Sequence, residues 1–176
     1  MPVPTVPSNW HWMLLENKTA MRRKDRQVTD PAEIFDILTR CDTLRVAMQG
    51  EEYPYVVPVS FGAELVDGTI TLYFHCARRG QKVDCLSQNP KVCVEADTFL
   101  QTQTLSDDIT TRYESVIGFG LCQIVTDPEE VRHGFRLLLD HYGYQSRLPE
   151  NCGNLSSALL YRICLNGVTG KRNLPV

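Results

Sequence analysis

The chain has 176 residues, 43% hydrophobic and 22% charged, with 18 Lys and Arg against 21 Asp and Glu for a formal net charge of −3. That length fits one domain, and the composition excludes an intrinsically disordered chain. The charge excludes a general attraction to nucleic acid or an anionic membrane, so any bound anion needs a local site. Residues 1–20 read as an appendage: Pro2, Pro4 and Pro7 alternate with small residues, and Trp10, Trp12, Met13, Leu14 and Leu15 form a short apolar patch. Such a segment is either loose or laid against a partner, and the domain proper runs over residues 21–176.

The first firm element is a helix. Asp30-Pro31-Ala32-Glu33 supplies a capping carboxylate, a proline at the first helical position and a glutamate three residues past the cap, and Ile34, Ile37, Leu38 and Cys41 then share one face. The same signal returns at Asp127-Pro128-Glu129-Glu130, with Val131, Phe135, Leu138, Leu139 and Tyr142 on the apolar side. Strands are expected at Leu44–Met48, Tyr55–Phe61, Thr69–His75, Val92–Ala96, Glu114–Val125 and Leu159–Val168, with a tight hairpin at Asp67-Gly68 and a short helix over Gln81–Gln88. Six strands with peripheral helices and no alternating strand–helix rhythm predict an α+β, mainly β, antiparallel barrel.

Seven cysteines (Cys41, Cys76, Cys85, Cys93, Cys122, Cys152 and Cys164) are odd in number and never spaced Cys-x-x-Cys, which argues against a zinc site. With no secretory signal and no run of ~20 apolar residues, the expectation is a cytoplasmic protein with free thiols, no metal and no membrane span.

Three segments carry candidate chemistry. In His75-Cys76-Ala77-Arg78-Arg79-Gly80-Gln81-Lys82 a strand ends, a glycine turns the chain and a helix begins beside cations. Unpaired amides at a helix N-terminus bind phosphate, with Lys82 and one of Arg78 or Arg79 to neutralise it; the same residues read also as an exposed basic turn. In Tyr53–Gly62 the internal Pro58 removes a ladder hydrogen bond, which suits an edge or a planar ligand lying along Val57, Val59 and Ser60, or a plain bulged strand. In Arg112–Gly120, Gly118 and Gly120 suit a bend, while Arg112 and Ser115 are free to reach an anion. His75 is a candidate proton donor or a hydrogen-bonded structural residue.

Taken in order, Met21-Arg22-Arg23-Lys24-Asp25-Arg26, Tyr55 to Gly62, Leu72 to Lys82, Tyr113 to Gly120 and Thr169-Gly170-Lys171-Arg172 resemble the successive motifs of the nitroimidazole-resistance (Nim-type) branch of the pyridoxamine 5'-phosphate oxidase-like flavoproteins. The resemblance covers residue 21 onward. It implies a six-stranded split barrel that forms a homodimer, with FMN in grooves at the subunit interface. Val57, Pro58, Val59 and Ser60 would run beside the flavin ring, and His75, Ala77, Arg78, Gly80 and Lys82 would hold the phosphate side. Arg112, Tyr113, Ser115 and Val116 match a second interface strand, supplied by the other subunit, and Lys171 and Arg172 match a basic tail. Cys76 departs from the family's commoner serine, and the swap of a thiol for a hydroxyl removes a good hydrogen-bond partner from the phosphate side.

The activity so implied is an oxidoreductase that passes electrons from reduced FMN, with NAD(P)H as donor, to a small acceptor such as a nitroaromatic, and His75 as proton donor. The alternatives are a flavin-storing or sensing module without turnover, and a relative of the same fold that binds haem or nothing. Pyridoxamine-phosphate oxidation is disfavoured, because the additional basic and tail motifs for that substrate are missing.

Overall fold

A computed structural model describes residues 21–144 and 157–174; the two readings of residues 1–20, and Cys152, lie outside the described residues. After a 3-10 turn at Lys24–Arg26 come β1 (Gln27–Val28), α1 (Pro31–Thr39), β2 (Leu44–Gln49), β3 (Pro54–Val59), β4 (Gly62–Val66) and β5 (Thr69–Ala77). They are followed by α2 (Gln81–Gln88), β6 (Lys91–Thr104), β7 (Ile109–Ile124), α3 (Pro128–His141) and β8 (Ala158–Asn173). Both expected caps form: Asp30 Oδ1 accepts from the amides of Ala32 and Glu33 at 2.9 and 3.0 Å, and Asp127 Oδ2 accepts from Glu130 N at 2.8 Å. Asp67 and Gly68 have φ of 49° and 77°, as their two-residue hairpin requires. Among the described residues no helix is long and apolar enough to cross a membrane.

The strands are antiparallel in the order β3-β2-β6-β7-β8-β5-β4, and β1 pairs with β8 beyond the reach of β5. The sheet's two edges, β3 and β4, are neighbours in sequence with only Ser60 and Phe61 between them. Three Cα steps span at most about 11 Å. The seven-strand path must therefore curl until its edges meet at one corner without pairing, and this is the split barrel.

Among the described residues eight strands replace the six expected. β1 is too short to show a period. β4 has a mixed burial pattern, with one fully buried residue, so no alternation announces it. β6 runs on to Thr104 because residues past Asp97 pair with β7 while staying largely exposed, and hydrophobic alternation reports burial, not pairing.

Two cores result from the alternation of side chains along the strands. Leu72 and Phe74 of β5 and Tyr161 and Ile163 of β8 point into the barrel, where they meet the Ile34, Ile37 and Leu38 stripe of α1. Tyr73 of β5 and Leu160 of β8 point outward beneath α3, against Phe135. α3 lies close on the sheet: a Cβ at Gly62 would come within 2.4 Å of the Leu138 nitrogen, so only glycine lets helix and strand backbones meet there.

Candidate functional site

At the end of β5 the chain passes through Arg78, Arg79 and Gly80 into α2. Gly80 has φ +133°, a conformation that side-chain-bearing residues rarely adopt, and its carbonyl accepts the amides of Val83 and Asp84 at 2.8 and 3.1 Å. No side chain caps the helix, so the amides of Gln81 and Lys82 precede its ladder. A cleft of about 280 Å³ opens here, walled by Tyr55 of β3 on one side and Cys76 and Ala77 on the other, with Arg79, Gly80 and Lys82 at its cationic end.

Lys82 is anchored by its neighbours. Its Nζ lies 5.4 Å from the centre of the Phe74 ring, and that buried ring stacks on Tyr161 at 5.3 Å with 9° between planes. The Cys76 thiol, half-buried at the cleft, is pushed up in pKa by burial against the opposing pull of Lys82, and is thus held neutral.

The turn residues divide between two faces. Ala77, Gly80 and Lys82 line the cleft, and the arginine that joins them is Arg79; Arg78 does not line it. His75 does not line it either: its ring lies 5.6 Å from that of Phe135 of α3, and burial, then the charge of Lys82, lower its pKa. On β3, Val57 and Val59 pack with the barrel core, whereas Pro58 and, just past the strand, Ser60 are exposed. Tyr55 was missed as a site residue, although it shares the inward face of Val57 and Val59 by simple alternation.

The second predicted group gathers around the far end of β8. Ser115 pairs in register with Lys171, and Lys171 Nζ lies 5.4 Å over the Tyr113 ring. Burial raises the Tyr113 phenol, but hydrogen bonds and charge from Lys171 and Arg26 outweigh it, and the net shift is downward. Val116 is a core residue, 1% exposed. Arg112 is buried and holds chain, not solvent: it donates to Gln103 Oε1 at 2.8 Å, Asn173 Oδ1 at 3.0 Å and the Leu174 carbonyl at 2.7 Å. Arg172 pairs with Glu33 of α1. The outward-facing members are therefore Tyr113, Ser115 and Lys171.

None of Tyr113, Ser115 and Lys171 lines the cleft. Cys76 is opposite Leu159 and Ser115 is opposite Lys171, twelve residues further along β8. At ~3.3 Å per residue that is roughly 40 Å of strand contour.

Residues 30–172 match the family described as pyridoxamine 5'-phosphate oxidase. Among solved structures the chain is similar to a candidate 5-nitroimidazole antibiotic resistance protein from Bacteroides thetaiotaomicron, with 26% identity and a TM-score of 0.74 over 83% of this chain and 86% of that one. It is also similar to an FAD-binding protein from Mesorhizobium loti (22% identity, TM-score 0.59, 84% of this chain and 97% of that one). An FAD- and haem-binding protein from Mycobacterium smegmatis is a third such structure (18% identity, TM-score 0.69, 86% and 76%). No curated protein matches the sequence.

Proposed function

The chain belongs to the pyridoxamine 5'-phosphate oxidase family, and on that premise we propose that it is a flavin-dependent oxidoreductase that holds FMN between two copies of itself and reduces a small acceptor such as a nitroimidazole. The cleft between β3 and the α2 N-terminus carries the reading. It has what a phosphorylated ring needs: Lys82 and Arg79 to neutralise a dianion, helix amides ahead of the ladder, an open approach at Gly80 and the aromatic wall of Tyr55.

The size and placement of the groups support a shared site. A cleft of about 280 Å³ falls just below the usual size of a ligand pocket, typically ~300–1,000 Å³. The Tyr113–Ser115–Lys171 group, twelve register positions along β8, is not among the residues that line the cleft of its own chain. A second copy, presenting that group from its own β8 end, would close the cleft, exclude water and add a cation. When bound, FMN supplies the redox chemistry, passing electrons as hydride or singly. The proton-donor role expected of His75 finds no support in its packing against Phe135.

The test is titration of flavin-free protein with FMN and with FAD, followed by quenching of flavin fluorescence, together with the oligomeric state. Saturable quenching by a dimer supports the reading. Lys82→Ala should weaken FMN about 10- to 100-fold, the loss expected for a hydrogen bond to a charged group. No quenching by either flavin overturns it, and tighter FAD binding replaces FMN by the dinucleotide. Bleaching by NADH or NADPH and recovery with a nitroimidazole identify the enzyme; bound flavin that no donor bleaches identifies a storage module.

A further inference from the structure

The C-terminal end of α3 makes a set of contacts that packing alone does not require. Tyr142 is the helix cap residue and is 43% exposed, yet its hydroxyl bridges two backbone groups: it accepts the Phe61 amide at 3.2 Å and donates to the Asp42 carbonyl at 2.8 Å. Beside it, His141 Nε2 lies 2.8 Å from the Cys41 carbonyl, and its ring lies 4.3 Å from that of fully buried Phe61.

Those partners sit at two strand ends. Cys41 and Asp42 lead into β2, Phe61 follows β3, and Leu44 of β2 pairs with Val59 of β3. β3 is an edge strand, with a pairing neighbour on one side only. Its exit is held by the short link into β4 and by this hydroxyl. The same helix touches the other wall of the cleft through Phe135 against His75 of β5. α3 and its cap residue thus hold the link that leaves β3 as well as β5, the two strands that flank the cleft.

We infer that Tyr142 is a positioning residue, whose hydroxyl staples the entry of β2 to the exit of β3 and so fixes the edge strand against which FMN is held. The inference rests on the cofactor reading above. A bound ring tolerates little play in its neighbouring backbone, so a loosened strand end should appear as weaker and less well-shielded binding, with the barrel intact.

The experiment compares Tyr142→Phe with Tyr73→Phe. Each loses one hydroxyl beneath α3, but Tyr73 donates to Glu64 at 3.0 Å, away from β3. In flavin-free protein, hydrogen exchange at the Phe61 amide should rise about tenfold in Tyr142→Phe, while amides of the β6–β7 ladder keep their protection. FMN should bind that variant about three- to tenfold more weakly, with less quenching at saturation, and bind Tyr73→Phe within about twofold of wild type. Unchanged Phe61 exchange, or wild-type FMN affinity in Tyr142→Phe, overturns the inference alone. Wild-type protein that ignores flavin overturns the cofactor reading, and this inference with it.

Discussion

Arg40 reaches from the end of α1 to clasp the carboxylate of Glu114 on β7, with Nε at 3.1 Å from Oε2 and Nη2 at 2.9 Å from the same oxygen. Glu114 is 5% exposed, whereas the Arg40 side chain is 44% exposed and also holds Asp36 at 2.6 Å. Removing one partner of a buried pair costs about 3–5 kcal/mol, and water access from the arginine side reduces that here to about 2 kcal/mol. Arg40→Met should lower stability by that amount in denaturant unfolding, and adding Glu114→Gln should restore part of it. A loss under about 0.5 kcal/mol would mean that water already serves the carboxylate.

His75 is exposed and only partly covered by Phe135, and that partial cover sets a mild pH dependence. Burial, then Lys82, hold the imidazole below its ordinary pKa of 6.5. As pH falls through that value the unfolded chain takes up a proton that the folded one refuses. Stability is therefore whole above it and declines below it, until the folded imidazole is itself protonated. His75→Phe should flatten this acid limb of a stability profile. Lys82→Met should move the imidazole part of the way back toward 6.5, as read by its NMR titration. A titration unmoved from the ordinary value in the native protein would contradict both expectations.

Gly80→Ala separates backbone strain from crowding. No atom lies within 4 Å of an added Cβ, yet φ of +133° is costly for alanine. The expected loss is about 1–3 kcal/mol of stability, or a shift of the turn that relieves it at the expense of the cleft. Denaturant unfolding and FMN titration of the same variant tell the two apart. A variant equal to the native protein in both would show that the turn tolerates a side chain.

Both helix starts with an Asp-Pro cap were legible because capping chemistry is local, and the Asp67-Gly68 turn because two positive φ values leave few residue choices. At Gly120 glycine admits a neighbouring backbone, since a Cβ there would lie 2.3 Å from the Cys164 carbonyl oxygen; the nearby register shift carries its extra residue on β8, between Leu165 and Gly167. The cationic turn was legible as a unit, but the directions of its side chains were not. His75 and Cys76 are adjacent, so strand alternation sends them to opposite faces, and only the position of α3 decides which face is covered. Arg112 read as an available cation because sequence cannot show that the end of β8 returns to occupy it. Tyr142 read as one more apolar residue of a helix; nothing in a one-dimensional pattern reveals what a hydroxyl 81 residues from Phe61 will bond.

β8 enters the chain last among the described strands but lies inside the sheet, with β7 along one edge and β5 and β1 along the other. Its partners include Thr71 opposite Cys164 and Gln27 opposite Lys171, contacts that close very long loops. During synthesis the barrel cannot shut until Ala158–Asn173 has left the ribosome. Until then β5 and β7 present bare edges that any passing strand could capture, so the nascent chain is at its most vulnerable just before β8 arrives.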